Sequence, residues 1–259
     1  MTCWNRDGVG LQPTLEACYV LPSVFRSVPA GTRSMDKVTE SLFPARQERF
    51  GYTCHRCLRC CHHKIIHVDP YEISRLARNR GVTTTDFRVR WTMDGAGTTL
   101  AQTDDGACVF LGTEGCTVHA DRPLVCRLYP LGRHVIVGGD ESFCHLKPHP
   151  QSEGEYSANR TIAEFLEEQD AALFIQAADE YLQWLDDAIN VLSKEADALA
   201  PAAVGEPMEG DDRLLDMDVA ITAHCAEGGI PEPDDLEDRK RLHLHILYDH
   251  LSKQGGKTT

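Results

Sequence analysis

The chain has 259 residues, 42% of them hydrophobic, so it is long enough to bury a substantial core. No apolar run approaches the roughly 18 residues that a membrane-spanning helix needs, and a membrane role therefore has no support. Residues 1–150 carry 18 Lys and Arg against 15 Asp and Glu, whereas residues 151–259 carry 8 against 25. The two parts have net charges of +3 and −17, and the total of −14 disfavours a nucleic-acid-binding surface.

Residues 1–34 contain scattered Pro and Gly and little periodicity. We expect them to be a disordered or mis-annotated N-terminal extension, with translation starting at Met35, where the helix-competent stretch MDKVTESLF begins. Residues 35–150 are then predicted to form a cysteine-cluster metal-binding domain. Residues 151–259 are predicted to form a helical C-terminal region packed on it.

Four cysteines fall within the eight residues CHRCLRCC, at Cys54, Cys57, Cys60 and Cys61. This spacing lets one short loop turn several sulfurs towards a common point, and thiolates bind zinc or iron. The vicinal cysteines leave the backbone in different directions, so we expect them to serve different metals or opposite sides of one cluster. The spacing is not that of a ferredoxin run, and no second CxxC pair completes a zinc ribbon.

Two helices are predicted after this loop. In the first, over residues 69–81, the segment DPYE supplies a cap, an early proline and a glutamate three residues after the cap. The second is short, is capped by Thr85 or Asp86, and runs through Trp91. We expect both helices to pack over the metal loop.

Short strands over residues 98–116, separated by the turn sequences DDG and GTEG, predict a small hairpin. This hairpin would carry Cys108 and Cys116 towards the loop.

The segment DRP at residues 121–123 predicts a helix capped by Asp121, with Cys126 one turn in and Pro130 at its end. A strand over residues 134–137 then leads to Cys144.

Residues 159–200 show a long helical pattern, either continuous or interrupted, with apolar residues on one face and acids on the other. A polar linker is predicted over residues 201–212. A last amphipathic helix is predicted over residues 234–251.

The complete pattern is CxxCxxCC, followed by C-x-F-L and then by C-x-x-H-x-x-R-P-x-x-C-R-x-Y-P. Over roughly residues 50–148 it resembles the YkgJ-type cysteine-cluster family, which is described as a zinc- or iron-chelating domain. The resemblance supports eight metal ligands: Cys54, Cys57, Cys60, Cys61, Cys108, Cys116, Cys126 and Cys144.

Other candidates carry less weight. Cys225 lies alone in a helical region, where a small core residue is the expected role. Several histidines near the thiols are candidate ligands or orienting groups, His119 foremost: His55, His62, His63, His67, His119 and His145. Twelve arginines between Arg46 and Arg133 are expected to offset the thiolate charge.

The predicted fold is α+β: a small irregular cysteine-rich metal-binding core with short strands, enclosed by helices, with a mainly helical C-terminal part. The eleven cysteines are an odd number in a long chain, so we expect them to be reduced. The expected location of the protein is therefore the cytoplasm. The predicted function is to hold an iron–sulfur cluster or zinc. Iron–sulfur is slightly favoured because eight thiolates exceed the four ligands of one zinc ion, although two zinc sites fit the count equally well.

Two further functions stay open. The cysteine cluster resembles that of flagellin lysine methylase, which implies an iron–sulfur-dependent oxidoreductase or a methyltransferase-like enzyme. A nucleic-acid-binding zinc module is the other. No nucleotide loop or catalytic motif is present, so the sequence assigns no catalytic residue. The acidic C-terminal surface is the expected site for a protein partner.

Overall fold

The structure is a computed structural model that describes residues 45–95, 97–147, 149–198 and 212–255. The predicted extension over residues 1–34, the start at Met35 and the linker up to residue 211 lie outside these residues. The described part contains seven α-helices and six short strands in three two-stranded antiparallel sheets. The α+β prediction is confirmed at this level.

The strands pair within and between the two halves of the chain. The pairs are β1 (Arg49–Thr53) with β6 (Glu155–Thr161), β2 (Leu111–Gly112) with β3 (Gly115–Cys116), and β4 (Leu131–Val135) with β5 (Glu141–His145). The GTEG hairpin is confirmed as β2–β3. The strand predicted over residues 134–137 is instead the end of β4, and the Gly138-Gly139 turn carries the chain into β5.

Helix α1 (Pro70–Arg80) has the predicted capping box and ends at Gly81, whose φ is 66°. Helix α2 (Thr84–Trp91) ends where expected, but the predicted cap is wrong: Thr83 accepts from the backbone N–H of Asp86 at 3.1 Å. Thr85 lies inside the helix as its second residue, and its hydroxyl donates to Asp216 at 2.7 Å.

The predicted helix start at Asp121 is also wrong. Residues His119–Asp121 form one 3-10 turn, and α3 (Leu124–Leu128) begins after Pro123. The Asp121 carboxylate instead accepts hydrogen bonds from Arg75, at 3.1 and 2.8 Å, and from Asn79, at 2.9 Å. These hydrogen bonds attach the 3-10 turn to α1.

The helix predicted over residues 159–200 is divided. Residues up to Thr161 belong to β6, and Thr161 caps α4 (Ile162–Glu168) through a capping box with Glu164. Asp170, with φ of 50°, separates α4 from α5 (Ala172–Ala198). The chain ends its described part with α6 (Met217–Gly228) and α7 (Leu236–Gly255).

Two clusters of buried side chains hold these elements together. The first cluster joins the two halves of the chain and includes Phe50, Phe143 and Phe165. The second cluster lies between α1, α2 and the β2–β3 hairpin and includes Ile73, Phe87, Phe110 and partly buried cysteines. Helix α1 also packs against α5, α6 and α7. None of the described helices is long and apolar enough to cross a membrane.

Candidate metal centre

The CHRCLRCC segment is a surface loop that follows β1 and turns twice. Arg56 and Leu58 have φ of 54° and 64°, in the left-handed region that residues other than Gly seldom occupy. A 3-10 turn over Arg59–Cys61 follows, in which the backbone N–H of Cys61 donates to Leu58 O at 3.1 Å. The loop therefore leaves Cys54 exposed and its other three cysteines half-buried.

The end of this loop is held against the segment that carries the next cysteine. The backbone N–H of Cys108 donates to Cys61 O at 2.8 Å, and that of His63 donates to Gly106 O at 2.7 Å. The β2–β3 hairpin, whose strands have only two residues each, then leads the chain to Cys116. Cys61, Cys108 and Cys116 are thus brought to one region by backbone contacts.

Helix α3 carries Cys126 as its third residue. Its first turn is attached to α1, because the backbone N–H of Leu124 donates to Glu72 Oε1 at 2.6 Å. Arg127 is buried and donates to the carbonyl oxygens of Arg122 and Gln169 at 3.0 and 2.8 Å. Cys126 is thereby fixed between α1 and the turn that precedes α5.

Cys144 is placed on a different element from the other candidates. It lies in β5, opposite Gly132 of β4. Just after β5, the carbonyl oxygen of Leu146 accepts from Tyr156 Oη at 3.0 Å, and the Tyr156 ring lies 5.2 Å from that of Tyr52. The end of β5 is therefore on the side of β1, from which the cysteine loop starts.

The pKa values of Cys60 and Cys61 are shifted in opposite directions. The hydrogen bond that the Cys61 thiol donates to Cys60 lowers the pKa of Cys60 to about 6, and burial opposes that shift. The same hydrogen bond, together with burial, raises the pKa of Cys61. The lowered pKa of Cys60 favours its thiolate, which is the form that binds metals.

The charges of neighbouring thiols also shift the pKa values of Cys108, Cys116 and Cys126. Burial raises the pKa of Cys126, and the charges of Cys108 and Cys116 raise it further. Burial also raises the pKa of Cys108 and that of Cys116.

Tyr52 lies near the start of the loop. Burial raises the pKa of its phenol, and the charges of Cys54, Cys60 and Cys57 add to this shift. Seven of the eight predicted ligands therefore lie within electrostatic range of another thiol or of Tyr52.

The chemistry of these donors fits zinc or iron. The described cysteines are free thiols, and eight of them lie in the region just outlined. Within the described part of the chain, however, no three His, Cys, Asp or Glu side chains are close enough together to hold one ion as they stand. The fold places the thiols in one region of the molecule, but their sulfur atoms do not converge on a common point.

Three of the candidate histidines contact groups other than the thiols. His62 Nδ1 lies 3.3 Å from Leu58 O, and His67 Nδ1 lies 3.0 Å from Thr99 Oγ1. The His145 ring packs on Phe50, 5.2 Å between centroids.

His119, the strongest histidine candidate, lies in the 3-10 turn before α3. Its pKa is lowered by burial and by the charge of Arg122.

Two residues near the thiols were not predicted as part of the site. The Lys64 ammonium lies 3.4 Å from the centroid of the Tyr129 ring. Burial lowers the pKa of Lys64, and the charge of Cys60 opposes that shift. Glu72 was predicted only as a helix cap, yet it also holds α3. Neither role has a sequence signal, because each depends on a partner distant in the chain.

Most of the arginines form ion pairs or hydrogen bonds with groups other than the thiols. Arg133 binds Glu141 at 2.6 Å and Asp179 at 2.7 Å, and Arg75 binds Asp121. The charge of Arg122 is one that lowers the pKa of Cys116, against the effect of burial. Most of these guanidinium groups therefore hold the fold together.

Comparison with known proteins bears on the cysteine segment. No curated protein and no solved structure matches the chain significantly. One family model does match, over residues 53–148, and it covers every one of the eight predicted ligands. This match supports metal binding by the segment. Residues 53–148 match the model of the CxxCxxCC family, which is described as a "putative zinc- or iron-chelating domain".

Proposed function

We propose that the eight cysteines hold an iron–sulfur cluster or zinc in a cytoplasmic protein. The observation that supports this most strongly is that the free thiols of Cys108, Cys116 and Cys126 pack against one buried cluster, and that the backbone N–H of Cys108 donates to Cys61 O at 2.8 Å. Free thiols in such number also agree with a reducing compartment. Both metals accept thiolate ligands, and eight donors exceed the needs of a single zinc ion.

When bound, an iron–sulfur cluster would supply one-electron transfer, whereas zinc would supply mainly structural restraint. Cys54 is exposed, so one edge of the centre is open to a redox partner. This exposure favours an iron–sulfur-dependent oxidoreductase as the second candidate function. A nucleic-acid module has less support, because arginines such as Arg75 and Arg133 are engaged with carboxylates.

The test is to purify the full chain anaerobically, record its absorption spectrum and measure iron, zinc and acid-labile sulfide. Iron with sulfide and broad visible absorption would support the cluster and lead to redox assays. Stoichiometric zinc in a colourless protein would support the structural form and exclude the oxidoreductase. Absence of both metals, with the thiols reduced, would overturn the proposal.

We also propose that a protein partner binds the acidic C-terminal surface. Helix α5 exposes Leu185 and Ile189 beside Asp186. A partner with basic and apolar groups would match this surface. If so, Asp186→Lys and Ile189→Asp should each weaken association with a co-purifying protein, and only the first effect should depend on salt. Association unchanged by both substitutions would contradict this location.

A further inference from the structure

Helices α5 and α7 lie side by side and leave an open groove between them. They are joined by an ion pair of Glu180 with Lys240 at 2.7 Å and by a hydrogen bond of Tyr181 with His243 at 2.8 Å. The groove along these helices has a volume of about 490 Å³. Residues of both helices line it: Asp179, Glu180, Gln183, Arg241, Leu244 and Tyr248.

One carboxylate at the groove receives only neutral donors from the described residues. Asp187 accepts from Gln183 Nε2 at 3.3 Å and from Tyr248 Oη at 3.2 Å. The carboxylates of Asp179 and Glu180, by contrast, each bind a cationic side chain at 2.7 Å. The groove therefore combines the partly exposed ring of Tyr248 with a negative charge that an additional cation would neutralise.

The described part of the chain begins beside this groove. The carbonyl oxygen of Arg46 accepts from the backbone N–H of Ala163, in the first turn of α4, at 2.9 Å. The Arg46 guanidinium pairs with Glu141, which also binds Arg133 at 2.6 Å. Arg133 in turn binds Asp179 at 2.7 Å, and Asp179 lines the groove. Three consecutive ion pairs thus connect residue 46 to the groove.

The sequence just before this point has the length and the pattern to occupy the groove. Residues 35–44, MDKVTESLFP, span at most about 33–36 Å when extended, which is more than the three ion pairs occupy. Met35, Val38 and Leu42 recur at intervals of three and four residues, the spacing of one face of a helix. Lys37 supplies a cation beside this apolar face.

We propose that residues 35–43 of this chain bind in the groove between α5 and α7. Leu42 packs on Tyr248, and the Lys37 ammonium pairs with Asp187. The segment is covalently attached beside the groove, so its effective concentration there exceeds that of a separate partner. The groove is therefore closed by the protein's own chain.

This occupant leaves the surface proposed above for a protein partner uncovered. Leu185 and Ile189 are 42% and 45% exposed, and neither lines the groove. The two surfaces of α5 can therefore be occupied at the same time.

Photo-crosslinking in the full chain tests the identity of the occupant. Gln183 is replaced by the photoreactive amino acid p-benzoylphenylalanine, and cross-linked peptides are mapped by mass spectrometry. We expect cross-links to residues 35–43 of the same chain. Cross-links only to a second copy or to residues 199–211, or no cross-linked peptide, would each overturn the proposal.

The matched control carries the same photoreactive amino acid at Leu185. This residue lies two positions further along α5, is also accessible and does not line the groove. It should give no cross-link to residues 35–43. Equal yields from the two positions would show that the segment is not held in the groove.

Amide hydrogen exchange of residues 35–43 measures the same binding without a label. Leu42→Asp should accelerate exchange of the segment by about tenfold or more, because the apolar contact of a buried leucine is lost. Ser41→Asp is the matched control, since it adds the same charge at a neighbouring position outside the apolar face. Equal exchange rates in the wild type and both variants would contradict binding through Leu42.

Charge reversal tests the pairing of Lys37 with Asp187. Lys37→Glu and Asp187→Lys should each accelerate exchange by at most about fivefold, the effect expected of an exposed ion pair. The double variant should return to the wild-type rate. A double variant that exchanges faster than either single variant would refute this pairing.

Discussion

The carboxylate of Glu72 accepts a hydrogen bond from the backbone N–H of Leu124 at 2.6 Å, and it thereby joins the first turn of α1 to the first turn of α3. Burial raises the pKa of Glu72 to about 8. The ordinary value of 4.5 applies to the unfolded chain, so between these values the folded state binds more protons than the unfolded state. The free energy of unfolding should therefore fall as pH rises from about 4.5 to about 8, by at most about 1.4 kcal/mol per pH unit from this group.

Urea denaturation of the wild type and of Glu72→Gln across this pH range measures the effect, and the variant should show a shallower decline. Glu164→Gln is the matched control. Glu164 occupies the same capping position in α4 but is exposed, and hydrogen bonds lower its pKa. Equal slopes for wild type and Glu72→Gln would contradict the role assigned to Glu72.

A substitution at Gly106 should disturb the attachment of the cysteine loop. Gly106 has φ of 79°, and an added Cβ would lie 2.2 Å from His63 Nδ1. Gly106→Ala should therefore lower both metal content and stability, the latter by about 1–3 kcal/mol from overpacking in addition to backbone strain. Gly138→Ala is the control, because Gly138 has φ of 69° with no atom near the added Cβ. Equal losses in both variants would show that the effect is backbone strain alone.

The carboxylate of Asp216 should be important for stability. It is buried and accepts from the hydroxyl groups of Thr84 and Thr85 at 2.5 and 2.7 Å, with Arg88 at 3.9 Å. Asp216→Ala removes the acceptor of both hydroxyl groups and one ion-pair partner of the buried Arg88 guanidinium, so the free energy of unfolding should fall by about 3–5 kcal/mol.

Chemical denaturation of Asp216→Ala beside Arg90→Gln tests this expectation. Arg90 forms an ion pair with Asp86 on the same helix at 3.6 Å, but both side chains are about half exposed, so its loss should cost at most about 1 kcal/mol. A loss for Asp216→Ala as small as that of the control would refute the prediction.

Metal removal should lower thermal stability, because a metal that binds only the folded chain stabilises it by mass action. The expected effect is about 2.7 kcal/mol at a free metal concentration one hundred times the dissociation constant. Calorimetry of the loaded, stripped and reloaded protein measures it. An identical Tm for loaded and stripped protein would mean that the metal does not contribute to folding.

Elements whose determinants are local could be predicted from the sequence. Helix α1 has its cap, its proline and its terminal glycine within thirteen residues, and all three act as expected. The pair β1–β6 could not be predicted, because its partners lie about one hundred residues apart and most of β6 is exposed and polar. Asp121 misled the prediction for a similar reason, since Arg75 of α1 occupies the carboxylate expected to cap α3.

The same distinction applies to the metal centre. The short spacing of Cys54, Cys57, Cys60 and Cys61 indicates thiolate ligation without any knowledge of the fold. Which cysteines share a surrounding depends on how hairpins and helices pack, and that packing is set by side chains such as Phe110 and Tyr52. Sequence spacing therefore predicts the candidate donors, and tertiary contacts decide where each of them lies.

The antiparallel pair β1–β6 encloses the matched segment, which begins at the end of β1 and finishes seven residues before β6. During synthesis, all eight cysteines leave the ribosome before residues 155–161 emerge to pair with β1. The thiols are thus exposed to oxidants and to passing metal ions for a period set by the rate of translation. A cell that makes this protein must keep its nascent chains reduced until that strand has emerged.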